Sequence, residues 1–372
     1  MSRTPDPDPG PDRSPPAWRR TFTLSGGLGL EAGGRLGRVQ VAYETWGRLD
    51  PDASNAVLVL HALSGDSHAA RHPGGPAGDA GWWDPMIGPG APLDTDRWFV
   101  VCPNVLGGCQ GTTGPSSAGP DGRPYGGRFP TVTIRDQVAA EAALADHLGI
   151  RRWAGVVGGS MGGMRALEWC VSSPDRVARA VVVAVGAAAT AEQIALCSVQ
   201  VRAIRADPAY RGGDYYESGP RPTAGMAIAR GIGHLSYRTT DELQQRFGRR
   251  PQGSEDPLKG GRFAVESYLE HAGEKLAARF DPNSYIVLSE AMNHHDLGRG
   301  RGGVAAALAG VTATVQVAGI TSDRLYPIGL QEELARRLPG RPEVVAIDSP
   351  VGHDGFLVEA DAVGAVVRAA LT

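Results

Sequence analysis

Short apolar runs recur along the chain, and each is followed by a turn or by a helical pattern. Six such runs cover residues 56–62, 98–105, 153–159, 179–186, 311–319 and 343–349. They are rich in β-branched residues and poor in polar ones, which predicts strands covered on both faces. An earlier segment, RVQVAYETWG, alternates apolar and polar positions and predicts an antiparallel hairpin or meander.

Helical periodicity fills the stretches between the apolar runs. The predicted helices cover residues 133–147, 162–171, 329–337 and 355–371. Strands that alternate with helices are typical of a parallel sheet with helices on its faces. The sequence therefore predicts an α/β fold with a mainly parallel sheet.

One long region breaks this rhythm. Residues 187–303 hold no strand-like run but contain helical stretches such as VESYLEHAGEKLAARF. This region is too long for a loop, so we expect a helical insertion between two strands. Residues 19–186 and 304–372 then form the two parts of the core. Residues 1–18 are rich in Pro and Asp and predict a disordered tail.

Composition narrows the function classes. The chain has 372 residues, of which 42% are hydrophobic, enough for a large core. A formal net charge of −3 argues against a nucleic-acid partner. No apolar stretch reaches the ~18 residues of a membrane span, so we expect no membrane partner. Four cysteines form no CxxC pair, which favours a reduced, cytoplasmic protein.

A glycine-flanked serine is the strongest chemical signal. Ser160 lies in GGSMG, which matches G-x-S-x-G. The motif is weak alone because the chain has 52 glycines, and a glycine-rich turn with an incidental serine is the alternative. The context strengthens it, since a predicted strand precedes the serine and a predicted helix follows it. A side chain at such a sharp junction is exposed as a nucleophile, next to a helix N-terminus that stabilises negative charge.

A serine nucleophile needs a base, and the base needs an orienting carboxylate. In this type of sheet the chain order is serine, acid, histidine, with each group just beyond a strand. His353 follows the last apolar run and Asp323 follows the run before it. Asp348 competes as the acid, but it lies inside the last run, only five residues before the histidine. The sequence therefore predicts Asp323.

An oxyanion hole requires two backbone N–H donors aimed at one point. We expect one from Met161, the residue after the nucleophile, and one from Leu63 in the segment HALSGDSH. His61, Asp66 and His68 in that segment lack a standard metal-site spacing. We therefore predict no metal and expect these histidines to shape the loop through hydrogen bonds.

Motifs along most of the chain resemble the homoserine O-acetyltransferases of the α/β-hydrolase superfamily. The matching segments are YETWGRL, NAVLVLHALSGDSH, WWDPMIGPG, DTDRWFVVCPNVLGGCQGTTGPSS, VVGGSMGGMRALEW, RGIGHLSYR, FDPNSY, SDRLYP and DSPVGHDGFL. The resemblance covers nearly everything from about residue 20 onward. It implies an α/β-hydrolase fold, with an eight-stranded, mainly parallel sheet, helices on both faces and a helical lid.

The resemblance also implies a mechanism and its substrates. Ser160 would take the acetyl group from acetyl-CoA and pass it to the hydroxyl of L-homoserine, without any cofactor. Arg230 and Asp354 match the family's arginine and aspartate that hold the amino acid, and a zwitterion needs both charges. Tyr237, seven residues beyond Arg230, lies on the same helical face and is expected to close the site. Relatives are homodimers through the helical insertion, so a homodimer is expected here.

Several alternatives stay open at this stage. Succinyl-CoA as donor, serine as acceptor and a plain esterase would use the same Ser160, Asp323 and His353. Arg230 with Asp354 favours a transferase, because an esterase needs no zwitterion clamp. His294 and His295 stand where aromatic residues are expected in many relatives, so pocket shape or subunit packing could differ there.

Overall fold

The computed structural model describes residues 18–75, 79–217 and 219–372. The predicted tail therefore lies outside the described residues, except for Trp18. An eight-stranded sheet forms the centre of the fold. Its strands are β1 (Arg20–Leu24), β2 (Val39–Trp46), β3 (Ala56–Leu60), β4 (Phe99–Pro103), β5 (Gly155–Gly159), β6 (Arg179–Val183), β7 (Thr314–Ile320) and β8 (Val344–Ile347).

The strand order is β1-β2-β4-β3-β5-β6-β7-β8. Strand β2 runs antiparallel to β1 and β4, while every pair from β4 to β8 is parallel. The predicted mainly parallel sheet is confirmed. Successive strands are added on opposite sides of β3, because β4 lies on one side of it and β5 on the other. The strand order therefore switches direction at β3. Ligands bind at such a switch point, beyond the carboxyl ends of the strands.

Eleven helices accompany the sheet in the described part of the chain. They are α1 (Ile134–His147), α2 (Met161–Ser172), α3 (Ala191–Ala206), α4 (Thr223–Tyr237), α5 (Thr240–Arg246), α6 (Ala264–Arg279), α7 (Pro282–Asn293), α8 (Val304–Ala309), α9 (Ile328–Arg337), α10 (Gly355–Val358) and α11 (Ala360–Leu371). None of these described helices is long and apolar enough to cross a membrane.

Two apolar cores lie on opposite faces of the sheet. Helices α1, α2 and α9 contribute to one core, and α11 contributes to the other. Between β6 and β7 the described residues form α3 to α8 and no sheet strand, in agreement with the predicted insertion. The exact division at residues 187 and 303 stays a prediction.

Two details of the sequence prediction are wrong. The helix predicted over residues 355–371 is divided at Glu359, whose ψ of 57° is not helical and whose carboxylate accepts a hydrogen bond from Ser349 Oγ. The last apolar run was predicted to be covered on both faces, but β8 is an edge strand with Val345 37% exposed. Its β-branched side chains mark a strand without telling an edge from a centre.

Candidate active site

The turn after β5 holds Ser160 in a strained conformation. Its φ is 55° and its ψ is −126°, a region that residues other than glycine rarely occupy. The flanking glycines allow close packing here. A Cβ on Gly162 would lie 2.0 Å from the Leu60 carbonyl oxygen, and one on Gly158 would lie 2.4 Å from the Gly162 carbonyl carbon. The serine is therefore presented where β5 meets α2, as the motif predicts.

The structure brings Ser160, His353 and Asp323 into one hydrogen-bonded chain. Ser160 Oγ lies 2.9 Å from His353 Nε2, and His353 Nδ1 lies 2.6 Å from Asp323 Oδ2. The second carboxylate oxygen of Asp323 accepts N–H groups of Leu325 and Tyr326, each at 2.8 Å. All three of these hydrogen-bonded residues are buried. Asp348 is exposed and accepts a hydrogen bond from Thr321 instead, which excludes it from this chain.

The pKa of His353 is raised above the usual 6.5. Burial alone would lower it, but the charge and hydrogen bond of Asp323, aided by the charge of Asp354, outweigh burial. Tyr326 stacks on the imidazole with ring centroids 5.0 Å apart, and Phe356 meets it edge-on at 5.4 Å. The imidazole is thus held in one orientation, with Nε2 towards the serine.

Two N–H groups beside Ser160 are candidates for the oxyanion hole. Met161 begins α2, so its N–H has no acceptor within the helix. Leu63 follows β3, and its N–H has no acceptor among the described residues. Leu63 and Ser160 line one pocket, whose space of about 870 Å³ includes the part open to solvent.

The loop that carries Leu63 is fixed by His61. His61 Nε2 accepts the Val105 N–H at 3.1 Å, and Nδ1 lies 2.8 Å from the Ala62 carbonyl oxygen, so the ring is neutral with its proton on Nδ1. Burial, and then the charge of Arg165, lower its pKa to about 3. The predicted hydrogen-bonding role of this histidine agrees with these contacts.

His68 belongs to a different cluster from His61. His68 Nδ1 and His72 Nε2 lie 2.8 and 3.1 Å from one oxygen of the buried Glu44, while Arg19 and Ser67 donate to the other. Glu44, His68 and His72 lie close enough together to hold a metal ion, and no other such group occurs in the described residues. The sequence had paired His61 with His68, so it missed this trio, and the expected absence of a metal stays a prediction.

The residues that the sequence predicts to bind the amino-acid substrate also line the pocket. Arg230 and Tyr237 lie on α4, with the guanidinium carbon 5.6 Å from the centre of the Tyr237 ring. Asp354 enters from the histidine loop. In the described part of the chain no carboxylate forms an ion pair with Arg230, so its charge is available to a ligand.

Asp354 has a cationic neighbour that sequence reasoning missed. Arg238 Nη2 lies 3.3 Å from Asp354 Oδ2, and the same guanidinium lies 3.7 Å from Glu242. Arg238 follows the last residue of α4, where helical periodicity no longer predicts side-chain direction. Its adjacency to Tyr237 in the segment HLSYR was the one available signal.

The insertion packs directly on the histidine loop. Gly352 has a φ of 74°, and a Cβ there would lie 2.3 Å from the Tyr237 carbonyl oxygen. Thr239 Oγ1 donates to the Pro350 carbonyl at 2.7 Å. The end of α4 and the loop of His353 therefore form one wall of the pocket.

Further pocket residues come from α3 and α7. The sequence did not single them out, and they are Gln193, Leu196, Cys197, Gln200, Met292 and Asn293. His294 is exposed, and His295 is buried with Nε2 3.0 Å from the Gly186 carbonyl oxygen. Neither lines the pocket, so the expected effect on pocket shape does not come from their side chains.

Comparisons with known proteins identify the fold and the relatives of this chain. A family model described as alpha/beta hydrolase fold matches residues 55–360. A homoserine O-acetyltransferase of Thermobifida fusca (strain YX) is 59% identical over 355 residues, which is 95% of this chain and 94% of that protein.

Solved structures add to these likenesses. The crystal structure of a homoserine O-acetyltransferase from Bacillus anthracis has a TM-score of 0.88 at 28% identity and covers 95% of this chain and 97% of its own. Esterase E22 has a TM-score of 0.87 at 27% identity and covers 95% and 99%. The chain belongs to the homoserine O-acetyltransferase family of the α/β-hydrolase superfamily.

Proposed function

We propose that this protein is a homoserine O-acetyltransferase. It moves the acetyl group of acetyl-CoA to the hydroxyl of L-homoserine, a step of methionine biosynthesis. The observation that carries the proposal is one pocket holding three features together. These are Ser160 and His353 with Asp323 behind them, the carboxylate Asp354, and Arg230, which has no carboxylate partner among the described residues. The names of the relatives support the substrates.

The first half-reaction forms an acetyl-serine. Asp323 accepts a hydrogen bond from the Nδ1–H of His353, and this tautomer leaves the Nε2 lone pair free to accept the Ser160 proton. Ser160 Oγ then attacks the thioester carbonyl, and the N–H groups of Leu63 and Met161 stabilise the oxyanion. The C–S bond breaks, and the CoA sulfur leaves with the proton held on Nε2.

The second half-reaction regenerates the serine. The homoserine hydroxyl gives its proton to His353 Nε2 and attacks the acetyl-serine carbonyl. The bond from the carbonyl carbon to Ser160 Oγ breaks, and Oγ takes the proton back. Side chains supply every proton transfer, so acetyl-CoA is a co-substrate and no further cofactor is required. Tyr326, Phe356 and Tyr237 around His353 exclude water, which protects the acetyl-enzyme.

The acceptor is held by opposite charges. Arg230 binds the carboxylate of homoserine and Asp354 binds its ammonium group, with Tyr237 closing the site. The ion pair with Arg238 directs the Asp354 carboxylate along one wall of the pocket. An esterase would need neither charge.

Hydrolysis is a second candidate because esterase E22 has nearly the same fold. The discriminating experiment measures CoA-thiol release by the purified protein. Acetyl-CoA and succinyl-CoA are crossed with homoserine, serine and no acceptor. We expect release from acetyl-CoA only with homoserine, whereas equal release without an acceptor would mean that water is the acceptor.

The nucleophile has its own test. We expect Ser160→Ala to abolish acetyl-enzyme formation and CoA release, because no other group accepts the acetyl group. Far-UV circular dichroism should match that of the original chain. Transfer that persists in this variant at the original rate contradicts the acyl-serine mechanism.

We further propose a cytoplasmic homodimer that pairs through the insertion. Apolar side chains support the pairing, since Ile194 and Val199 on α3 and Ile228 and Leu235 on α4 are 40–58% exposed. These helices pack against each other and present the side chains on one part of the insertion. Four free thiols support a reducing compartment. Sedimentation should give twice the mass of one chain, and a monomer at all concentrations would contradict the pairing.

A further inference from the structure

Gln200 is a buried pocket residue to which the mechanism above gives no task. It lies on α3 with only 4% of its surface exposed, and it lines the pocket that contains Ser160 and Arg230. Its amide oxygen accepts a hydrogen bond from the Tyr285 hydroxyl. Its amide nitrogen has no hydrogen-bond acceptor among the described residues and is not sealed from solvent. The Nε2 group of Gln200 is therefore a hydrogen-bond donor available to a ligand in the pocket.

A second glutamine on the same helix shows that this is not the rule for α3. Gln193 also lines the pocket, but its Nε2 donates to the Leu325 carbonyl at 2.7 Å and its Oε1 accepts the Thr190 N–H at 2.9 Å. Both ends of that amide are occupied by structure. In Gln200 the amide oxygen is hydrogen-bonded within the fold, whereas the amide nitrogen has no partner among the described residues.

Tyr285 fixes the direction of the Gln200 amide. Tyr285 lies on α7 and is fully buried, and burial holds the pKa of its hydroxyl well above the usual value, so the hydroxyl keeps its proton. A protonated phenol donates to the amide oxygen, so the amide nitrogen is directed away from α7. Gln200 on α3 and Arg230 on α4 line the same pocket, and these two helices pack against each other.

The chemistry of that region suits a carboxylate. Arg230 has no carboxylate partner in the described chain, and a guanidinium fork satisfies only two of the four lone-pair sites of a carboxylate. We propose that Gln200 Nε2 donates a hydrogen bond to the carboxylate of the amino-acid acceptor, beside Arg230, and so selects an acceptor with that group. This inference rests on the proposed function and deepens it.

Two acceptors separate this role from a structural one. Homoserine carries the carboxylate, while 3-aminopropan-1-ol has the same hydroxyl, chain and ammonium group without it. Gln200→Glu keeps the shape and the acceptor oxygen for Tyr285 but replaces the donor by a second oxygen. We expect it to lower kcat/KM for homoserine by about 10- to 100-fold through KM, as for loss of a hydrogen bond to a charged group.

The matched results decide the outcome. The rate of acetyl-enzyme formation from acetyl-CoA and the kcat/KM for 3-aminopropan-1-ol should both stay within about twofold of the original chain. Gln200→Leu should show the same pattern with a smaller loss, because it removes the donor without adding a charge. Equal losses for both acceptors, or no loss for homoserine, overturn the inference. Failure of the original chain to acetylate homoserine instead overturns the proposed function, and the inference with it.

Discussion

Arg165 offers the sharpest test of how the fold supports the site. It lies on α2, five residues after Ser160, and none of its surface is exposed. Its Nη1 lies 2.7 Å from Glu141 on α1, and its Nη2 donates to the His61 carbonyl just before the loop of Leu63. Arg165→Met keeps an unbranched side chain while removing both contacts.

The cost follows from the carboxylate that is left behind. Burial raises the pKa of Glu141, and Arg165 and then the Trp169 N–H are the groups that oppose this rise. Without Arg165 the carboxyl must take a proton in the folded state. At about pH 7 this costs ~4 kcal/mol, because an unfolded glutamate has a pKa of about 4.3 and each pH unit is worth about 1.36 kcal/mol. Breaking a buried ion pair typically costs about 3–5 kcal/mol.

The sign of the pH dependence makes the reasoning refutable. The folded variant binds a proton that the unfolded chain releases above its pKa of about 4.3, so stability falls as pH rises. Urea unfolding followed by tryptophan fluorescence should therefore show a loss that is ~3 kcal/mol larger at about pH 7 than at about pH 5. Adding Glu141→Gln removes the carboxyl and should abolish the difference between these pH values. An equal loss at both pH values refutes the reasoning.

A functional effect should remain in the double variant. The His61 carbonyl still lacks its donor, so the loop that positions the Leu63 N–H is less restrained. We expect acetyl-enzyme formation to slow by up to about 10²-fold, the lower end of the loss for one oxyanion donor. Acetylation at the original rate in the double variant would show that Arg165 stabilises the fold without positioning the loop.

Two further predictions concern ionisable groups. The pKa of His353 is raised, so the acid limb of the pH–rate profile should have its midpoint above 6.5. Because the charge of Asp354 contributes to this rise, Asp354→Asn should move the midpoint to lower pH. An unmoved midpoint contradicts that coupling. Glu44→Gln should cost about 1.5–3 kcal/mol of stability in urea unfolding, because hydrogen bonds from four side chains converge on the charged form. Since the pKa of His68 is raised by its hydrogen bond to Glu44, that loss should shrink as pH rises through the raised value, and a constant loss contradicts the pairing.

The parts of the site that follow strands could be predicted from the sequence. Ser160, Asp323 and His353 each come shortly after an apolar run, and the carboxyl ends of neighbouring parallel strands meet at one edge of a sheet. Chain order in a mainly parallel sheet therefore predicted that they lie together. Asp348 was separated from Asp323 because it lies inside the last apolar run, only five residues before His353.

The acceptor side of the pocket was less predictable for a physical reason. Arg230 and Tyr237 share a helical face, so periodicity related them to each other but not to the rest of the pocket. Gln200 stands on α3 among apolar and polar positions that do not distinguish a pocket wall from a solvent face. Arg238 pairs with Asp354, and Glu44 pairs with His68. Each pair joins segments that are far apart in the chain, which no local pattern encodes.

This contrast indicates how reaction and acceptor selectivity are divided within the molecule. The proposed nucleophile, base and oxyanion donors follow strands of the sheet, whereas the proposed acceptor-binding residues Arg230, Tyr237 and Gln200 stand on the insertion. The two parts meet where Gly352 packs against the end of α4, where Thr239 bonds to Pro350 and where Arg238 pairs with Asp354. Several contacts therefore position the acceptor groups relative to His353. A hydrolase of the same fold needs the first set only. We therefore expect substitutions in the insertion to alter the acceptor while the chemistry at Ser160 stays intact.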